Sequence, residues 1–255
     1  MNDRRLLHLD WSHTLDAFWI ARLQSALQAC KSATLRERYS RWDRDRHEGL
    51  TLGDLAVAVG TKLTIVSLIV QRVDARLAEI GNVLRSNRRR IEACLQAGGA
   101  YRLPDRDAAH EAVVDFDSFI FETRSAYEIT VSFLERFFTL ILGGPLGTGS
   151  RKGAHMRVQE ALRSRGAQTG WADELREKRH LLIHSRAIWL ALEVVDGDPF
   201  RFDPVLLTRT VDRIEDDPDR LSVQQCRDLW RDFQNSYGHI EAWLKEEIAA
   251  ADARG

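Results

Sequence analysis

The stretch HEAVVDFDSFIFETRSAYEITVSFLERFFTLIL, residues 110–142, decides the fold class. Its apolar residues Val113, Phe116, Ile120, Tyr127, Val131, Leu134, Phe138 and Ile141 are spaced by three, four or seven, which sets them along one side of an α-helix. Upstream, Val59, Leu63, Val66, Val70, Val73, Leu77, Ile80 and Leu84 advance by alternating steps of four and three. That spacing predicts a long helix over about 54–96. A shorter helix carries Leu15, Trp19, Leu23 and Leu27, and the charged segment Arg36–Glu48 reads as a helix end and loop.

Gly98, Gly99 and Pro104 make the clearest break in the pattern, because Gly ends helices at little cost and Pro restrains the residue before it. They predict an N-terminal helical region over 1–104 and a second domain over 105–255. In the second domain, helices are predicted over about 155–165 and 170–185. A β-hairpin is predicted over about 187–207, from Ala187–Val195 through the Asp196-Gly197 turn to Phe200–Leu207. Ser222 and Gln225 form a capping box for a last helix striped by Cys226, Leu229, Phe233, Tyr237, Ile240 and Leu244. The loop GGPLGTGSRKG, residues 143–153, lacks the phosphate-loop GK[ST], fails GxGxxG and follows a helix where those motifs follow a strand; it reads as a flexible connector. The expected fold is mainly α, a helical bundle with a small β-hairpin and a long N-terminal helix.

Composition narrows the function. With 44% apolar residues, seven Trp and ten Phe, 255 residues can fill a substantial core, and a net charge of -1 excludes a wholly basic nucleic-acid binder. Any polyanion site must be local. Cys30, Cys94 and Cys226 are too few and too scattered for a disulfide framework and form no zinc motif, so three buried thiols in a reducing, cytoplasmic setting are expected. Met1–Trp11 alternates charge with leucine and lacks the apolar core of a signal peptide. Leu55–Val70 is interrupted by Gly60 and Lys62 and reads as core, so no membrane partner is expected.

The chemistry-bearing stretch is Arg179-His-Leu-Leu-Ile-His184, within 171–189. It sets a fixed cation and two imidazoles at one end of an otherwise apolar helix, a composition suited to holding a phosphate and moving a proton beside it. Thirty-two arginines and eight histidines give about one Arg-x4-His pair by chance, so spacing alone is weak; Arg41 and His47 also come near the pattern, in a segment charged throughout. Two other readings stay open. Arg179 can pair with Glu174 or Glu177 at an ordinary helix end, and His180, His184 and Glu177 can hold a transition metal. Residues 151–186 hold nine Lys/Arg against four acids, a net of +5, which favours a polyanion nearby. The Asn87–Arg90 run reads as a solvated face or a nucleic-acid contact. Arg124 and Glu128, one turn apart, are a structural pair or accessory polar groups.

Arginine, a polar residue, three aliphatics and histidine, on a helix that follows one carrying DFDSFIFETRSAYE (115–128), resemble the HEPN-domain family over roughly residues 110–250. That resemblance implies a helical bundle pairing two-fold, with both copies of Arg179 and His184 in one groove, and cleavage of RNA without metal or cofactor. In that reading His184 is the base, Arg179 the phosphate clamp and His180 a second proton donor or RNA contact; Arg124, Glu128, Lys178 and Arg186 are RNA-binding or accessory residues. His180 stands where Asn is commoner, and Arg186 where one branch of the family carries a modifiable Tyr. The resemblance further implies a toxin or defence effector, a homodimer, and a neutralising or regulatory protein partner, with the N-terminal helices serving partner binding, dimerisation or restraint. The alternative is a non-catalytic module of the same kind that binds RNA or a protein.

Overall fold

Thr51 and Asp54 start the longest helix by capping each other: the Asp54 N–H donates to the Thr51 hydroxyl at 3.0 Å, and the Asp54 carboxylate accepts from the Thr51 N–H at 2.8 Å. The computed structural model describes residues 19–97, 106–184, 189–195, 201–209 and 216–254. Along these run α1 (Trp19–Gln28), α2 (Ala33–Tyr39), α3 (Leu52–Ser86), α4 (Arg88–Gln96), α5 (Arg106–Phe137) with a π-helical turn Phe138–Leu142, α6 (Arg151–Arg163) and α7 (Gly170–His184). Strands β1 (Trp189–Val195), β2 (Arg201–Leu207) and β3 (Leu221–Ser222) and helix α8 (Val223–Arg254) complete them. The protein is mainly helical, with one small sheet. Leu15, the Gly98–Pro104 break and the Asp196-Gly197 turn lie outside the described residues.

Several boundaries differ from the sequence expectation, each for a local reason. The helix predicted over 54–96 ends at Ser86 and restarts at Arg88, because the Asn87 amide bonds back to the Val83 carbonyl at 2.8 Å while its own carbonyl accepts from Arg90 and Ile91. The connector 143–153 is built rather than loose: Ser150 caps α6 by accepting from the Gly153 N–H at 3.1 Å, so that helix starts at Arg151 and not near residue 155. Gly143 ends the π turn at φ 81°, and a side chain there would run into the Arg38 guanidinium, which donates to the Ile141 carbonyl at 3.2 Å. Residues 33–39 of the segment read as helix end and loop form a capped helix. The hairpin pairs Trp189–Val195 with Arg201–Leu207 antiparallel, and β3 adds a third strand beside Val205 and Leu206. Cys30 and Cys226 are buried; Cys94 is only partly so.

The chain forms two compact units, one from 1–64, 126–168 and 235–255, the other from 65–125 and 169–234. This division differs from a single cut near residue 104: α3, α5 and α8 are so long that each contributes one part to each unit. In the first unit the core is aromatic. Phe133 meets the edges of Trp19 and Trp42 at centroid distances of 5.6 and 5.9 Å, and Phe138 lies 5.2 Å from Trp243. In the second, Phe116, Phe119, Leu175 and Phe233 are buried, and Trp171 packs edge-on against Phe233 at 5.1 Å. There a buried Asp115 is held by Arg72 at 2.6 Å and Arg76 at 2.9 Å, which compensates its removal from water.

The apolar window of α3 is longer than residues 55–70. By length and composition this 35-residue helix is apolar enough to cross a membrane, with mean hydropathy 1.7 over 18 residues, of which 33% are buried here. Val59, Val66, Ile69 and Ile80 of that helix are core residues.

Glu241 of α8 takes a two-pronged hydrogen bond from Arg22 at 2.7 and 2.6 Å and another from Lys245 at 2.7 Å. The Arg22 bond above all pulls its carboxyl down to about 2, against partial burial. A depressed carboxyl contributes stability above its ordinary value and loses it as pH falls toward about 2. Arg22 is more than half exposed, so the pair contributes modestly. Thermal melts of Arg22→Ala against wild type should show a Tm deficit above pH 5 that narrows steadily as pH falls from about 4.5 toward about 2; a deficit independent of pH would assign the effect to lost packing.

Candidate functional site

Helix α7 is anchored at its start. Trp171, Ala172 and Leu175 are buried, whereas Lys178, Arg179, Leu181 and Leu182 are half-buried and His180 is exposed. Among the described residues, the half of the helix that carries the sequence motif is the less buried half. The described part of His184 is its backbone, at the last helical position, and Arg186 lies outside the described residues.

Helix geometry sets what these positions can do together. At 100° per residue, Arg179 and His184 project about 140° apart around the axis, whereas His180 and His184 project only about 40° apart. One copy of the helix thus offers two histidine positions on one face and the arginine on another.

Arg179 does not pair with Glu174 or Glu177, and no carboxylate among the described residues pairs with it. Its guanidinium lies 5.0 Å above the ring of Phe121 on α5. A half-exposed contact of this kind is worth only about 0.5–1 kcal/mol, less than a charge-assisted hydrogen bond at ~1.5–3 kcal/mol. The ring therefore orients the cation while leaving its donors able to take an oxyanion. Phe121 sits within the stretch 115–128 quoted above, and its signal was its phase: it falls off the stripe of Phe116, Ile120 and Tyr127.

The accessory candidates are engaged in building the fold. Lys178 donates to the Asp219 and Arg220 carbonyls at 3.2 and 3.0 Å, and Arg124 donates to the Ala172 carbonyl at 3.1 Å, next to the buried start of α7. Glu128 accepts from Arg151 at 2.9 Å and lies 3.0 Å from His155 Nε2. The net +5 of residues 151–186 is likewise offset in part by acids outside the segment: Arg151 meets Glu128 and Glu135, Arg157 meets Glu247 and Arg165 meets Glu246. Elsewhere Arg88 of the Asn87–Arg90 run pairs with Glu92, and Arg41 with Glu37. No group of three metal-ligating side chains occurs among the described residues.

The loop that receives Lys178 is fixed by Asp217, which sequence reading did not single out. Its carboxylate is fully buried and accepts from the Thr208 N–H at 2.6 Å, the Thr208 hydroxyl at 3.0 Å and the Asp219 N–H at 3.1 Å. Burial alone would raise this carboxyl, but those bonds and the Arg209 charge outweigh it and hold it below its ordinary value.

No protein-family model, curated protein or solved structure matches this chain. The HEPN resemblance stands on Arg179–His184 and the helix order.

Replacing Asp217 with Ala should lower stability by roughly 1–3 kcal/mol, since three donors lose their acceptor. Urea unfolding monitored by tryptophan fluorescence measures this, and an unchanged midpoint would mean that the loop does not depend on that carboxylate.

Proposed function

We propose that this protein is a metal-independent endoribonuclease of HEPN type that acts as a homodimer. The observation that carries the reading is the state of Arg179: a partly exposed residue whose guanidinium is oriented by an aromatic ring, with no described carboxylate to neutralise it, five positions before a histidine at the end of the same helix. The 140° between those positions favours a groove completed by a second copy, in which the arginine of one helix and the histidine of the other converge on one phosphate.

The chemistry follows from the side chains. His184 as neutral imidazole takes the proton of a ribose 2′-OH, the 2′ oxygen attacks phosphorus, and the bond to the 5′ oxygen breaks. Arg179 offsets the charge that builds on the phosphoryl oxygens, and His180 or the second copy's imidazole returns a proton to the leaving 5′ oxygen. The products carry 2′,3′-cyclic phosphate and 5′-OH ends. The reading includes action in the cytoplasm as a toxin or defence effector under the control of a neutralising partner. Salt dependence should be modest, because much of the local positive charge is already paired.

The test is cleavage of end-labelled single-stranded RNA by wild type, Arg179→Ala and His184→Ala, each with and without EDTA. Wild type should cut equally well in both conditions, and His184→Ala should cut ~10²–10⁴-fold more slowly without loss of fold. Inhibition by EDTA would point to the metal reading of His180, His184 and Glu177. RNA that is bound and never cut would mark a binding module.

A further inference from the structure

Helix α5 buries Phe116, Phe119, Ile120 and Thr123 on its inward side, and Phe121 falls outside that face, 44% exposed. Two turns earlier Val114 is exposed on the same side. A phenyl ring left in water contributes little to folding, yet this one carries the Arg179 guanidinium above it at 5.0 Å. Aromatic rings and arginine planes are the surfaces on which splayed-out nucleobases stack, because every base has a π face. A duplex keeps its bases inside and cannot use such a surface.

We propose that Phe121 and the Arg179 guanidinium lying over it together form the stacking subsite for one unpaired nucleobase of single-stranded RNA, next to the phosphate that Arg179 holds. This rests on the ribonuclease reading of Arg179. Charge complementarity favours a nucleotide over an apolar protein face: an apolar partner would bury the guanidinium without an acceptor, whereas a nucleotide brings a π face and a phosphate together. Asp117, exposed one turn before Phe121, opposes a phosphate on its own side, so the RNA backbone follows the α7 side of the ring.

The subsite is tested with wild type, Phe121→Leu and Phe121→Trp on a short single-stranded RNA and on the same RNA with an abasic residue placed in turn at each position flanking the cut. Circular dichroism checks the fold of each variant, and kcat/KM and binding affinity are both read. Phe121→Leu should lower kcat/KM and affinity on the intact RNA about tenfold, the low end of what one stacked base contributes, and Phe121→Trp should restore them. On the RNA abasic at the stacked position, Phe121→Leu should lose clearly less against wild type than on the intact RNA, the remaining loss being that of the ring's hold on Arg179. Equal losses on intact and abasic RNA, or no loss, would overturn the subsite while leaving the nuclease in place: equal losses would mean that the ring only positions Arg179. Wild type that neither binds nor cuts RNA would overturn both.

Discussion

Helix α5 commits one face to the core, and that commitment decides which of its side chains stay outside. Ala112, Phe116, Phe119, Ile120, Thr123, Ala126, Tyr127, Thr130, Val131, Phe133, Leu134 and Phe137 are all buried and form one continuous helical face, with Phe121 on the opposite side. The two threonines tolerate this because each hydroxyl donates to the carbonyl four residues back, Thr123 to Phe119 at 2.6 Å and Thr130 to Ala126 at 2.8 Å. Phe121 is left outside because the residues around it fill the inside, and its exposure decides what Arg179 meets. The candidate site is thus a by-product of how α5 is packed.

Helix α7 supplies the complementary condition. Its first turns are sealed by Trp171 and Leu175, and the Ala172 carbonyl is further held by Arg124, so the helix has a fixed axis. Toward its other end His180 is exposed and Arg179 partly so, and Lys178 ties the middle of the helix to the loop organised by Asp217. A rigid stem suits a binding residue such as Arg179, since core packing sets the position of a side chain that stays partly exposed. The weak hold of Phe121 on Arg179 suits the same purpose: it limits the rotamers of a long side chain without cancelling its charge.

Charge in this chain is arranged locally rather than as a field. Glu241 clamped by Arg22, Asp115 clamped by Arg72 and Arg76, and Glu128 shared by Arg151 and His155 use guanidinium groups to hold helices in place. Arg179 differs from them in having an aromatic partner instead of a carboxylate. That contrast, more than the net charge of the segment, singles it out.

Periodicity alone determined the helical class, the long helices and the hairpin, because burial of one face writes a repeat of 3.6 or 2 into the chain. The capping box at Ser222 and Gln225 was also legible, since both partners lie within one turn: Gln225 N–H donates to the Ser222 hydroxyl at 3.1 Å and Ser222 N–H to the Gln225 side chain at 2.8 Å. The break at Asn87, the start of α6 at Ser150, the third strand at Leu221 and the division of long helices between two units were not legible, because each depends on bonds or neighbours that periodicity does not encode. In the site, sequence picked out Arg179, but which of Glu174, Glu177 or a distant ring would meet its side chain was decided only by tertiary structure. Three-dimensional packing alone brings residues 121 and 179 together, and no local pattern records which face of one helix will lie under the tip of another.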